Sequence, residues 1–233
     1  MYQAWDAEGQ ERISLARRAL DLSADCADAY TLLAMEATSK TEEQSKLLAQ
    51  AVAAGERALG RAFMEKEGGT LWAHVSARPY MRARACLAQC LWRLGDRVAA
   101  VEHYFALLRL NADDNQGIRY PLSDCLLTLG WHRELGKLLR EYRWDLGALW
   151  RFNWALWAFR TKGNCVLSRR ALKEALAQNQ HIREFLLRRR PLPLQTPGHY
   201  SPHGVDEAAV YAANALSNWE ATPGALQWLD STP

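Results

Sequence analysis

Arg84-Ala85-Cys86-Leu87-Ala88-Gln89-Cys90-Leu91-Trp92-Arg93-Leu94-Gly95-Asp96 decides how the chain is read. Its apolar residues recur at helical spacing, and it ends on a glycine suited to a left-handed turn, so it predicts a helix with a stop. Val98 to Leu110 repeats the period with Val101, Tyr104, Phe105 and Leu108 on one side, then breaks at Asn111-Ala112-Asp113-Asp114-Asn115. Together the two segments predict a helix hairpin. A second hairpin places Leu122, Leu126 and Leu129 before Gly130 and Leu135, Leu138 and Leu139 after it. A third places Ala155, Leu156 and Phe159 before Gly163 and Leu172, Ala175 and Leu176 after it. The three glycines, Gly95, Gly130 and Gly163, lie 35 and 33 residues apart.

A helix, a tight turn and a second helix at a period of ~34 residues mark tetratricopeptide repeats. The segment Arg84 to Ala112 resembles that family at Leu87 and Ala88, Gly95, Ala100, Tyr104 and Leu108. Ala88 and Ala100 allow two helices to approach closely, while Leu87, Leu91 and Tyr104 fill the space to a neighbouring hairpin. Two departures stand out: Ala112 replaces the usual proline, and Pro121 should kink or delay its helix. Towards the N-terminus, Leu15 to Leu22 and Asp28 to Ala34 read as the end of one repeat and the start of another. Thr41 is expected to cap a long helix to Phe63 that Gly68-Gly69 terminates, and the next helix is expected near Pro79. The segment Arg188 to Gly204 holds four prolines and no helical period. After it Asp206 to Leu216 resumes a stripe, and Thr222-Pro223-Gly224 is expected to open a final helix. The expected fold is all-α, a right-handed superhelix of about four to five hairpins closed by a C-terminal cap. Its expected parts are helical repeats over 1–64, a connecting loop over 65–77, three repeats over 78–188, a Pro-rich connector over 189–204 and capping helices over 205–233.

Composition narrows the function classes. With 233 residues, 49% hydrophobic, the chain can bury one sizeable core or two small ones. The most apolar segment, Leu146 to Phe159, carries Arg151 and Asn153, so no membrane span is expected. Met1 to Glu8 shows no basic region followed by an apolar one, and the cytoplasm is the expected compartment. A net charge of +3 argues against nucleic acid, and Arg188-Arg189-Arg190 reads as a solvated helix end. The five cysteines are scattered and form no CxxC pair, so no disulfide framework is implied; Cys86 and Cys90 read as small buried hydrophobes.

Several stretches together resemble the suppression-of-tumorigenicity-seven family and its soluble bacterial relatives. They are Ala16 to Ala34, Ala53-Ala54-Gly55-Glu56-Arg57-Ala58, Arg78-Pro79-Tyr80-Met81-Arg82, Asp113 to Tyr120, Asp206 to Ala212 and Gly224 to Leu229. The resemblance implies a helical-repeat protein of undefined role, with no catalytic residue carried over.

The chain lacks HExxH, GxSxG and GxxxxGK[ST] motifs, so no enzyme activity and no cofactor are expected. His199 and His203, with Asp206 and Glu207, would be the ligands of the alternative metal-binding or enzymatic reading, but a proline-rich loop is a poor frame for them, and no metal site is expected. The favoured role is binding of a protein or peptide partner in the concave groove lined by first helices. Counting from the turn glycines gives Arg82, Gln89 and Trp92, then Tyr120 and Asp124, then Trp150, Asn153 and Trp157 as groove positions. Such a row mixes aromatic anchors with polar groups. The competing reading packs Trp150, Trp154 and Trp157 against the capping helices. Arg119 and Asn115 are further candidates, since a guanidinium forks to a carboxylate and an amide can face the groove mouth. The competing reading has Asp113, Asp114 or Asn115 cap the next helix, with Arg119 bridging to an acidic residue of a neighbouring hairpin.

Overall fold

The computed structural model describes residues 1–195 and 197–232, so Thr196 of the connector and Pro233 of the cap lie outside the described residues. In chain order the helices are α1 Tyr2–Asp6, α2 Gly9–Leu22, α3 Ala27–Glu36, α4 Thr41–Leu59, α5 Arg61–Lys66, α6 Arg78–Leu94, α7 Arg97–Leu110 and α8 Arg119–Leu129. They continue as α9 His132–Glu141, α10 Ala148–Lys162, α11 Val166–Gln178, α12 His181–Leu186, α13 Val205–Glu220 and α14 Ala225–Ser231. Short 3-10 turns at Leu71–Ala73 and Val75–Ala77 precede α6. The described residues contain no strand, only an isolated bridge between Thr70 and Asn111. The fold is all-α, with consecutive helices packed as hairpins, and it divides into two compact units, Met1–Leu122 and Ser123–Pro233.

In the first unit α4 packs on α3 and α6, and α6 on α7. Small residues set these distances. Ala29, Ala51, Ala54, Ala83, Ala88 and Ala100 are fully buried, and a Cβ on Gly55 would stand 2.7 Å from Tyr80 Cβ, so α4 meets α6 on a glycine. The α6–α7 turn follows the expected chemistry. Gly95 takes φ +87°, a left-handed conformation that costs only glycine little, and Asp96 Oδ1 accepts the Ala99 N–H to open α7. Pro79 sits in the first turn of α6, where no intrahelical donor is needed. Pro121 likewise falls in the first turn of α8, so the helix begins late rather than bending.

Three local expectations are corrected. The long helix stops at Gly60, not at Gly68-Gly69, and α5 is separate. Thr41 is its first helical residue; Lys40 precedes the helix, and the hydroxyl that organises the turn is Thr38, which accepts the Lys40 N–H and donates to Glu43. Thr222 does not cap α14, because its hydroxyl donates back to Asn218 O.

In the second unit α10 packs on α9 and α11, and α12 on α13 and α14. Rings join α10 to the last two helices. Phe159 stacks on Trp228 at 4.4 Å, Trp228 on Trp219 at 6.3 Å, and Phe152 lies 5.4 Å from Tyr211. Arg160 fastens two helix ends at once, donating to Leu127 O of α8, Asn218 O of α13 and the Thr222 hydroxyl. Those carbonyls belong to last turns and carry partial negative charge, so a guanidinium adds a charge-assisted bond beside those they already accept from the Gly130 N–H and the Thr222 hydroxyl. The Arg188–Arg190 run is engaged as well as solvated: Arg188 pairs with Glu220, Arg189 with Asp230, and Arg190 lies 5.6 Å over Phe185.

Candidate functional site

A cleft of about 500 Å³ opens on the first unit, between α1, the α2–α3 turn, α4 and the start of α6. Its deepest polar element is Asp28, 5% exposed in the first turn of α3. Arg82, one turn into α6, grips this carboxylate with both edges, Nε to Oδ1 at 3.2 Å and Nη2 to Oδ2 at 2.7 Å. The Trp5 indole N–H donates to the same Oδ2 at 3.3 Å, and the Arg82 guanidinium lies 5.4 Å over the Trp5 ring. A buried carboxylate needs this number of donors, and the three side chains hold one another in place. Arg12 ties α1 to the body by donating to Ala7 O and pairing with Glu36.

The rest of the cleft is mostly apolar: Ala27, Ala58, Val75, Pro79 and the Trp5 face. Val75 is 61% exposed at the rim. Arg78 also lines the rim; its Nε donates to Trp72 O at 3.1 Å while the guanidinium sits 5.2 Å over the Trp72 ring. Below the floor, Tyr80 OH donates to Glu56 Oε1 and receives Arg84, and burial pushes its phenol above the ordinary range.

Sequence reading singled out Arg82 alone from this cleft and missed Trp5, Asp28, Val75 and Arg78. Gln89 and Trp92 lie seven and ten residues along the same helix as Arg82; Gln89 is exposed, and Trp92 is half-buried beneath Arg97 at 5.3 Å. Asn115 is exposed in the α7–α8 loop. Arg119 and Tyr120 are not presented as open anchors. Asp114, at φ +50° and buried, accepts the Ile118 N–H at 2.6 Å, the Arg119 N–H at 3.0 Å and Arg119 Nη1 at 2.8 Å, while Arg119 stacks 4.4 Å over Tyr120. This is the capping arrangement, with the ion pair local to the loop.

The second unit buries Trp150 and Asn153 and leaves Asp124 and Trp157 half-buried. Trp150 is 0% and Asn153 2% exposed, so neither has surface to offer a partner. Asn153 is the hub of a polar network: its amide donates to Ser123 Oγ and Asp124 Oδ1, and its carbonyl accepts Tyr211 OH, which accepts the Trp219 N–H. Burial pushes the Asp124 carboxyl up to about 6 against the opposing Asn153 bond. Trp157, half-buried, donates to His132 O at 2.8 Å and lies across Gly136, where a Cβ would meet Trp157 Cζ2 at 2.6 Å. Trp154 and Trp157 pack edge to face at 6.1 Å.

Among the described residues no three His, Cys, Asp or Glu side chains converge as metal ligands. In the connector, His203 Nδ1 meets Gln178 O, Glu207 accepts the His203 N–H, and Asp206 accepts the Ser201 N–H, so the acids expected as partners of the histidines serve the loop backbone. The five cysteines are free thiols, and burial pushes the Cys86 thiol up. Among the described residues no helix is long and apolar enough to cross a membrane.

Packed helix hairpins define the class: an all-helical protein with an open cleft on its first unit. Comparison with known proteins places it more narrowly. Residues 1–109, which contain the whole cleft, match the family model described as ST7 protein. The full chain is 29% identical to the "Suppressor of tumorigenicity 7 protein-like" of Bos taurus, covering 46% of that protein. It is 26% identical to "Protein ST7 homolog" of Drosophila pseudoobscura pseudoobscura, covering 47%, and 25% identical to that of Caenorhabditis elegans, covering 51%. The chain is similar to these ST7 proteins along its whole length and spans about half of theirs.

Proposed function

We propose that the chain is a non-enzymatic scaffold of tetratricopeptide-like hairpins that binds a protein or peptide partner, and that the contact lies on the first unit. The observation that supports this most directly is the cleft itself: concave, largely apolar and carrying a fixed Trp5–Arg82–Asp28 group. Aromatic and guanidinium groups already held in place bind without a large ordering cost, which is what recognition surfaces require. Arg82, Gln89 and Trp92 form the proposed face along α6, with Asn115 a further contact. Trp150 and Asn153 leave the proposal because they are buried in the second unit, Asp124 and Trp157 because they bond Asn153 and His132 O there, and Arg119 because Asp114 holds it, with Tyr120 under its guanidinium. No catalytic residue, cofactor or metal belongs to this reading, and the cytoplasm is the proposed compartment.

Affinity capture from a native lysate tests it, with the wild type beside Val75→Arg at the cleft rim and Val166→Arg on the second unit, both exposed positions. A protein recovered by the wild type and by Val166→Arg but lost with Val75→Arg is the expected result. Identical recovery by all three forms would contradict the placement.

A further inference from the structure

Arg78 is the group whose charge the cleft leaves unanswered. Arg82 and Arg57, nearby, each hold a carboxylate, Asp28 and Asp25. Among the described residues no carboxylate pairs with Arg78: its Nε is bound to Trp72 O and its plane rests on the Trp72 ring, but both terminal nitrogens are unspent. Stacking and one backbone bond fix the direction of the guanidinium, and the free edge is the fork that takes a carboxylate through two parallel bonds. Beside it runs the apolar wall of Trp5, Val75, Pro79 and Ala58. A volume of about 500 Å³ suits a ligand of a few residues.

Resting on the reading of this cleft as the partner site, we propose that its occupant is an extended peptide element pairing an acidic side chain with a large apolar one. The aspartate or glutamate meets the free edge of Arg78. The aromatic or branched aliphatic neighbour fills the cleft against Trp5 and Val75. Asp25 and Asp28 are already paired with Arg57 and Arg82, so they do not compete for Arg78.

Selection from a random octapeptide phage library against the full chain tests this, followed by affinity measurement on a selected peptide and its Glu→Gln or Asp→Asn counterpart. Sequences carrying an acid within two positions of a large apolar residue should be enriched. The acidic peptide should bind the wild type at least tenfold more tightly than its amide counterpart, and Arg78→Gln should abolish that discrimination. Arg78→Lys, which keeps the charge and guards against a misfolded variant, should retain part of it. Peptides that Val75→Arg displaces but that are neutral or basic would overturn the acidic assignment while leaving the partner site standing. If no enriched peptide is lost with Val75→Arg, both readings fail.

Discussion

Close packing and burial act first at single residues. Gly55 is required because Tyr80 leaves no room for a methyl group: Gly55→Ala should destabilise the chain by about 1–3 kcal/mol through overpacking, read as a lower thermal midpoint. An unchanged midpoint would mean that α4 and α6 separate easily. Asp124 acts through protonation. Its ordinary value is 3.8 and burial pushes it up to about 6, so the folded chain holds a proton that the unfolded chain has already released in between. Stability from this site is therefore full below about pH 4, falls as the pH rises towards 6 and stays reduced above it, by about 3 kcal/mol at ~1.36 kcal/mol per unit. Asp124→Asn keeps an acceptor for Asn153 without the buried charge. It should raise the thermal midpoint at pH 7.5, with the gain shrinking towards pH 4; a gain independent of pH would rule out titration of Asp124 as the cause.

At the scale of elements, helix ends decide what was legible. The stop of α6 could be read directly from Gly95, whereas the Asp96 cap of α7 was not singled out. The end of α4 was missed because two glycine sites compete, and Gly60 stops the helix before Gly68-Gly69 is reached. Asp114 was one of three capping candidates, and the sequence did not distinguish it from Asp113 or Asn115; burial of its side chain does. Asp114→Ala removes acceptors from two backbone N–H groups and leaves Arg119 without this carboxylate. A loss of about 2–4 kcal/mol, with faster amide exchange at Ile118 and Arg119, is expected. Arg160 gave no local signal at all, since its acceptors lie 33, 58 and 62 residues away. Arg160→Met should strip exchange protection from the ends of α8 and α13 together. Loss at only one of them would show that the two ends are fastened independently.

Over the whole molecule, helical periodicity exposed the all-α class, because each hairpin announces itself within about 34 residues. The candidate site was only partly legible. Counting along first helices reached the cleft only at Arg82 and also selected Trp150 and Asn153, which are buried, since a period reports which residues share a face and not which neighbour covers it. Asp28 and Arg82 are 54 residues apart, and nothing local joins them to Trp5. The Arg78-Pro79-Tyr80-Met81-Arg82 stretch stood out only for its family resemblance, and Arg78, one helical turn before Arg82, was not singled out as a contact. The central claim is that the first unit's cleft is the partner contact. A photo-crosslinking residue at Val75, compared with one at Val166 in the second unit, tests it most directly in a native lysate. A specific covalent adduct from position 75, removed by Arg82→Glu and missing from position 166, is the predicted result; adducts from position 166 alone would contradict it.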